Sequence, residues 1–419
     1  MAVQFLDAAS YPTVTLQAGF TTAASGFGAW DAGVWDTAEW GPDVVWTDLS
    51  SYLRAVDTGR GFSLESDRAT VGQLSVELLN TDGRFTPANT GGPYVSAGVS
   101  QIRAGVPIRL RATWNGTTYD LFRGRVRSWT EVFPSTTVAY VRVDADDLFA
   151  DLGSVTLAEV TAEGAGDTAG GRILRIADAA GWSTGVDLDA GLNTMQATTL
   201  GATAASLCQL TADSDGGLVF AGPNGDLVYH GYYRRFTGSR STSAQITFSA
   251  AGAPASDPVT TNDDAGLVNV ARLTRIDGTT QTSRASDSVA VYGERTLERS
   301  DLICETDAQV ATIADLITTV RSSAGYRIRA LRTFPARDPS TLWPLVLSAQ
   351  FNDLHDVTIA HPGGFDVQRS TFVSGIAHSI DPAGGWRVDF VYIDAAPYVA
   401  LQGSAYWDSA AWDTDTWFI

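Results

Sequence analysis

Four histidines, His230, His355, His361 and His378, are the first side chains to test for chemistry. His355 and His361 lie near Asp353 and Asp356 in the sequence, but their spacing matches no zinc signature. Asp213-Ser214-Asp215-Gly216 opens like a calcium loop. No acidic residue stands at the far end of such a loop, so the stretch reads as a turn. A phosphate loop bearing a lysine and His-Glu-x-x-His are both missing. The 47 acidic residues offer too many pairs for glycoside chemistry to single one out. No catalytic residue, metal or cofactor is expected, and the chain does not read as an enzyme.

Arginine is a second candidate. All 28 basic residues are arginines, against 47 acidic ones, for a net charge of −19. Arg123, Arg125 and Arg127 alternate along one strand-like run and so project from one face. A nucleic-acid groove would need a basic surround, which this charge opposes. The reading adopted is ion pairing, at a barrel rim or across a subunit contact.

Tryptophan supplies the third. Trp30, Trp35 and Trp40 near the N-terminus, and Trp407, Trp412 and Trp417 near the C-terminus, recur every five residues, each of the first two in either set followed by Asp. A period of five fits neither helix nor strand. These six of the 12 tryptophans sit in Gly/Ala/Asp-rich arms too short to bury them locally. They are expected to pack on each other, on the body of the protein or on a neighbour. Cys208 and Cys304 stand apart in apolar contexts and read as buried free thiols.

The elements that must position these residues are mostly strands. Apolar and polar residues alternate over 44–49, 74–79, 108–114, 119–129 and 138–143. Asn115-Gly116 between two of these runs predicts a tight hairpin. Helical spacing appears at 170–180 and 200–212, followed by a strand–turn–strand pattern at 218–229. Thr306 with Gln309 predicts a capping box for a helix over 307–323. Further strands are expected at 267–276, 289–292, 327–334, 357–359, 371–378 and 386–393.

The fold expected is mainly β with an α+β insert. Residues 1–42 form an N-terminal arm and 43–150 a first antiparallel β-barrel domain, ending in a short helix at 146–151. An α+β insert covers 151–265, a second β-barrel domain with the helix 307–323 covers 266–395, and 396–419 form a C-terminal arm. No stretch reaches the ~20 apolar residues of a membrane helix, and no signal peptide opens the chain.

Three stretches carry a resemblance to a known family. The first runs from Glu77 through Asn80-Thr81-Asp82-Gly83-Arg84-Phe85 to Gly105-Val106-Pro107 and Phe122-Arg123-Gly124. The second is the helix at 200–212 with Gly216-Gly217-Leu218 and Asn224-Gly225-Asp226. The third joins Ser288–Gly293, the helix at 307–323 and Val373-Ser374-Gly375, and ends in the strand at Trp386. In order and spacing they resemble the tail-hub (minor tail, baseplate hub) proteins of tailed phages, over residues 43–395. The Trp–Asp arms are similar to those of minor tail proteins of phages infecting high-GC Gram-positive bacteria.

That resemblance implies a structural virion protein at the tail tip, assembled in the host cytoplasm. It implies a homotrimeric ring whose two tube-like β domains per chain present six to the sixfold tail tube. The distal tail protein or tube would lie above, tip, receptor-binding or fibre proteins below, and the tape-measure protein and DNA would pass through the channel. An acidic channel wall is expected, since it would repel DNA. Two alternatives remain: a sixfold distal tail protein, or a carbohydrate-binding or glycan-degrading adhesin.

Overall fold

Alternation with one apolar side per strand can be met by a closed barrel or by an open sheet packed on one face. In the computed structural model it is met by an open sheet. The described residues are 10–20, 44–63, 68–96, 98–158, 161–381 and 385–402, with the backbone of 404–405 and 416–417.

A first β module contains β1 (Thr13–Phe20), β2 (Val45–Asp48), β3 (Leu53–Ser63), β4 (Arg68–Leu79) and β5 (Pro107–Trp114). It ends with β6 (Thr117–Val132), β7 (Tyr140–Asp147) and the short helix α1 (Phe149–Ser154). An α+β stretch follows: α2 (Ala169–Ala179), β8 (Val186–Leu188), α3 (Ala204–Asp215), β9 (Leu218–Ala221) and β10 (Leu227–His230). Then come β11 (Ala244–Phe248), β12 (Ser256–Asn262), β13 (Val270–Arg275), β14 (Gln281–Arg284) and α4 (Ser286–Tyr292). β15 (Thr296–Leu302) and α5 (Asp307–Arg321) complete that part. The last stretch holds β16 (Tyr326–Thr333), α6 (Pro339–Leu347), β17 (Leu354–His361), β18 (Phe365–Asp381), β19 (Gly385–Asp394) and α7 (Ala396–Val399).

Thirteen strands share one sheet in the order β12-β16-β19-β18-β3-β4-β7-β6-β5-β1-β2, with β17 paired to β18 and β11 to β17. The two expected barrels are therefore corrected: among the described residues no sheet closes. The joint between the two sets of strands is β3 against β18, antiparallel, from Gly61 opposite Gly375 to Val56 opposite Ile380. Each strand satisfies its periodicity by turning one side into a common core. Ile108, Leu110, Val141 and Val143 of the first set and Val388, Phe390 and Trp386 of the second are all at most 1% exposed and belong to one cluster. Trp343 on α6 sits between Trp114 and Trp386, with ring centroids 6.2 and 4.8 Å away, and spans the two sets.

Strand order repeats. β6-β7-β4-β3 in the first set is matched by β18-β19-β16-β12 in the second. In each, the first strand is long and bent: its early half pairs with a preceding hairpin strand (β5 or β17), its late half with the next one (β7 or β19). The second strand of each, β7 or β19, ends in an aspartate, Asp147 or Asp394, that accepts the N–H two residues on, from Phe149 (3.0 Å) or Ala396 (3.2 Å).

Two smaller layers pack beside the sheet. α2 and α3 cover the three-stranded β8-β10-β9 sheet around Ile173, Ile176, Cys208, Leu227 and Tyr229. Thr168 and Thr203 cap these helices by accepting from Gly171 and Ser206, and Gly216 ends α3 at φ 71°. β14-β13-β15 form a second sheet under α5, whose capping box is formed by Thr306 and Gln309. The strand expected at 289–292 is instead α4, a correction: Val291 is 72% exposed, so no core face drew the β-branched residues into a sheet. Both cysteines are buried and free.

Candidate functional surface

Arg142-Val143-Asp144 on β7 and Arg387-Val388-Asp389 on β19 are the same tripeptide on the corresponding strand of each module. The valines turn into the core, both 0% exposed, so each Arg–Asp pair stands on the opposite face. Register carries this face across the joint. One row runs Arg332, Asp389, Ala377, Gly59, Gln73, Asp146, Arg125. The next runs Arg387, Ser379, Asp57, Ser75, Asp144, Ser128. Between them lies an open trough of about 880 Å³ centred on the β3–β18 joint.

The trough is charged but balanced. Arg127, Arg142 and Arg387 face Asp57, Asp144 and Asp389 along it. Arg142 meets Asp144 at 3.1 Å, and Arg387 meets Asp389 at 3.4 Å. Arg332 reaches the same Asp389 at 2.6 Å. Burial works against the Asp144 carboxylate, yet donation from Ser75 (2.8 Å), Arg142 and Ser128 (3.2 Å) holds it below the usual carboxylate range. Exposed pairs of this kind add little stability, about 0–1 kcal/mol each. Their consequence is electrostatic: positive and negative ends alternate, so this face lacks the single sign of the whole chain.

The three alternating arginines are used separately. Arg123 donates to the carbonyl of Asn224 at 3.3 Å and lies along the β9–β10 turn, where a Cβ on Gly225 would stand 2.7 Å from its Cδ. Arg125 pairs with Asp151 of α1 at 2.5 Å. Arg127 occupies the bulge between Val126 and Ser128 and pairs with Asp146 at 3.2 Å. Trp30, Trp35, Trp40, Trp407 and Trp412 lie outside the described residues; Trp417 falls in a two-residue parallel pairing, opposite Ala405. The first residues of the 396–419 arm are anchored on the body, with Tyr398 buried against Phe236 and Phe372.

The remaining candidates do not converge. His355 is buried with Nδ1 3.0 Å from the Tyr392 hydroxyl, whereas His361 is on the surface, stacked on Phe365. Burial pushes His230, His355 and His378 down to about 3, which keeps them neutral. Asp353 accepts two bonds from Arg240 at 2.6 Å, and Asp356 accepts from Ser370 at 2.7 Å. Asp213 bridges Arg68 (2.7 Å) and Arg299 (2.6 Å). Asp215 accepts the N–H groups of Leu192 and Asn193, both at 2.7 Å, and the Tyr229 hydroxyl at 2.5 Å. No group of three metal-ligating residues comes together among the described residues.

The outward rows were missed in reading the sequence, although the repeated Arg-Val-Asp was there to mark them. Two solved structures share this fold over nearly the whole chain. The 43 kDa tail protein of prophage MuSo2 from Shewanella oneidensis is 14% identical, with a TM-score of 0.56 over 92% of this chain and 98% of that one. The tail protein from Neisseria meningitidis MC58 is 13% identical, with a TM-score of 0.57 over 93% of this chain and 99% of that one. No protein-family model matches the chain, and no curated protein sequence matches it.

Proposed function

We propose that the chain is a structural component of a phage tail, a tip hub whose three copies form a ring between the sixfold tube and threefold tip proteins. The observation that carries this reading is the tandem repeat of strand order within one sheet: each chain holds two like modules, so three chains offer six. The shared fold with two tail proteins supports it. A distal tail ring of six such chains would hold twelve modules, which does not match a sixfold tube.

In this reading the distal tail protein or tube packs above the ring and tip, receptor-binding or fibre proteins below. The trough face lines the channel through which the tape-measure protein and DNA pass. Its wall is then charge-balanced, in place of the acidic wall anticipated from net charge. Arginines already paired with carboxylates in the same sheet offer no uncompensated charge to phosphates, so DNA slides without counterion-driven binding. The Trp–Asp arms would dock on a neighbouring chain or on a tip protein. Assembly that continues unchanged after removal of 404–419 would count against that docking.

Electron microscopy of tails carrying a labelled copy tests the placement. One ring of three labels at the tip is expected; labels along the tube, or six in a ring, would overturn it.

A further inference from the structure

The joint inside the chain is a template for the joint between chains. In it, the free side of β3 at the end of one module pairs antiparallel with the late half of β18 at the start of the next. β17 and β11 peel away from the early half of β18, which opens that edge.

The same two edges recur without a strand partner among the described residues, one at the β12 end of the sheet and one along the late half of β6, beyond the reach of β5. β12 takes the place of β3 in the second module; among the described residues it pairs only with β16, and it is exposed along most of its length. β6 takes the place of β18 in the first. Its pairing with β5 ends at Arg125 opposite Pro107, and a backbone contact from Gly105 and Val106 extends only to Val126. From Ser128 to Val132 its sheet partner among the described residues is β7 alone. Val259, 49% exposed, stands in the middle of β12, an apolar residue on an open edge.

We propose that β12 of one chain pairs antiparallel with residues 128–132 of β6 in a second copy, continuing the sheet head to tail. The assignment deepens the ring reading, since it names the surface through which copies meet. The shared Arg-Val-Asp sets the register. Asp389 lies opposite Ala377 and Asp144 opposite Ser128, so Ser128 corresponds to Ala377, the partner of Gly59. Following the row the other way, Val259 lies opposite Ala330 as Gly59 lies opposite Gln73, so Val259 corresponds to Gly59. Val259 therefore faces Ser128 of the neighbour. A head-to-tail contact closes into a ring when its rotation allows and otherwise grows a filament.

The test is oxidation of the full-length Val259→Cys/Ser128→Cys protein, read on denaturing gels beside native mass of the unmodified protein. Directly opposed strand residues bring Cβ atoms to about 5 Å, within reach of a disulfide. Interchain links ending at a closed trimer are expected, with none from Val259→Cys/Thr118→Cys, because Thr118 lies in the half of β6 paired with β5. A native trimer with no link at Val259–Ser128, or at the next outward residue Thr130, would overturn the seam and leave the ring standing. Links that extend past three chains would keep the seam and overturn the trimer. A protein that stays monomeric and unlinked would overturn both.

Discussion

The two β modules of this chain keep strand order and change almost everything else. β3 runs into β4 through only residues 64–67, whereas β12 and β16 are separated by a whole three-stranded sheet with α4 and α5. The link from β4 to β5 carries Phe85 into the core, while the link from β16 to β17 carries α6 with Trp343. What survives in both is the bent strand, the Arg-Val-Asp face and the terminal aspartate. Connections tolerate insertion because their backbone lies at the surface. Strand order cannot vary in the same way, because each joint uses the edges that order creates. The contrast also separates the edges: β3 is covered inside the chain and β12 is left bare.

The largest test of that comparison is Trp343→Ala. The side chain is fully buried and touches aromatic rings of both modules, so removal should cost about 3–5 kcal/mol. Because one core serves both sets of strands, calorimetry should show their unfolding as one shifted transition. Two separated transitions would mean that the modules are independent after all.

Asp213→Ala comes next. It removes a carboxylate whose side chain is 4% exposed and which ties β4 of the first module to β15 beside the second through Arg68 and Arg299. A loss of about 1–3 kcal/mol in denaturant unfolding is expected, with Arg299 retaining Asp301. No loss would show that the insert layers are held by apolar contact alone.

Acid should then stabilise the chain through buried carboxyls in the first module and in the α+β stretch. Burial pushes Asp147 up to about 7 and Asp215 up to about 6, against backbone and Tyr229 donors that pull the other way. Between about pH 4 and these values the folded chain holds protons that the unfolded chain, titrating near 3.9, has released. Stability from these groups is therefore highest near pH 4 and falls as pH rises toward 7. The thermal midpoint should drop over that interval, and Asp147→Asn should flatten the drop. A slope unchanged in the variant would assign it elsewhere. Asp394, at the equivalent position, is raised in the same direction by burial, and its Asn variant extends the comparison.

The smallest effect belongs to the trough. Arg142→Ala and Arg387→Ala should each change stability by less than about 1 kcal/mol. Their effect should appear in ionic behaviour: each removes one positive charge and shifts the face toward negative, Asp144 losing its arginine and Asp389 keeping Arg332. A loss of several kcal/mol from either would mean that the pair holds the sheet together.

Local features of the fold were legible in the sequence where the chemistry is local. Asn115-Gly116 forms the hairpin with φ of 47° and 82°, and the Thr306–Gln309 box starts α5 one residue later. The α2 and α3 patterns also became helices, within a few residues of the expected bounds. The joint was not legible. Val56 and Ile380 are brought together across most of the chain, and alternation is identical whether a sheet closes on itself or runs on into another. The 289–292 run failed for a related reason: Val289-Ala290-Val291-Tyr292 has strand propensity, but no neighbouring strand edge to receive it. Of the surface, the arginine run on β6 was visible while its partners were not, because Asp151, Asp146 and Asn224 come from three other places in the chain.

Native mass spectrometry of the assembled protein, with the ring imaged end-on, bears most directly on the claim that two modules in tandem make a six-module collar. Three chains around one pore, with six similar lobes and the trough face inward, is the predicted result. A stable monomer, or a ring without six similar lobes, would contradict it.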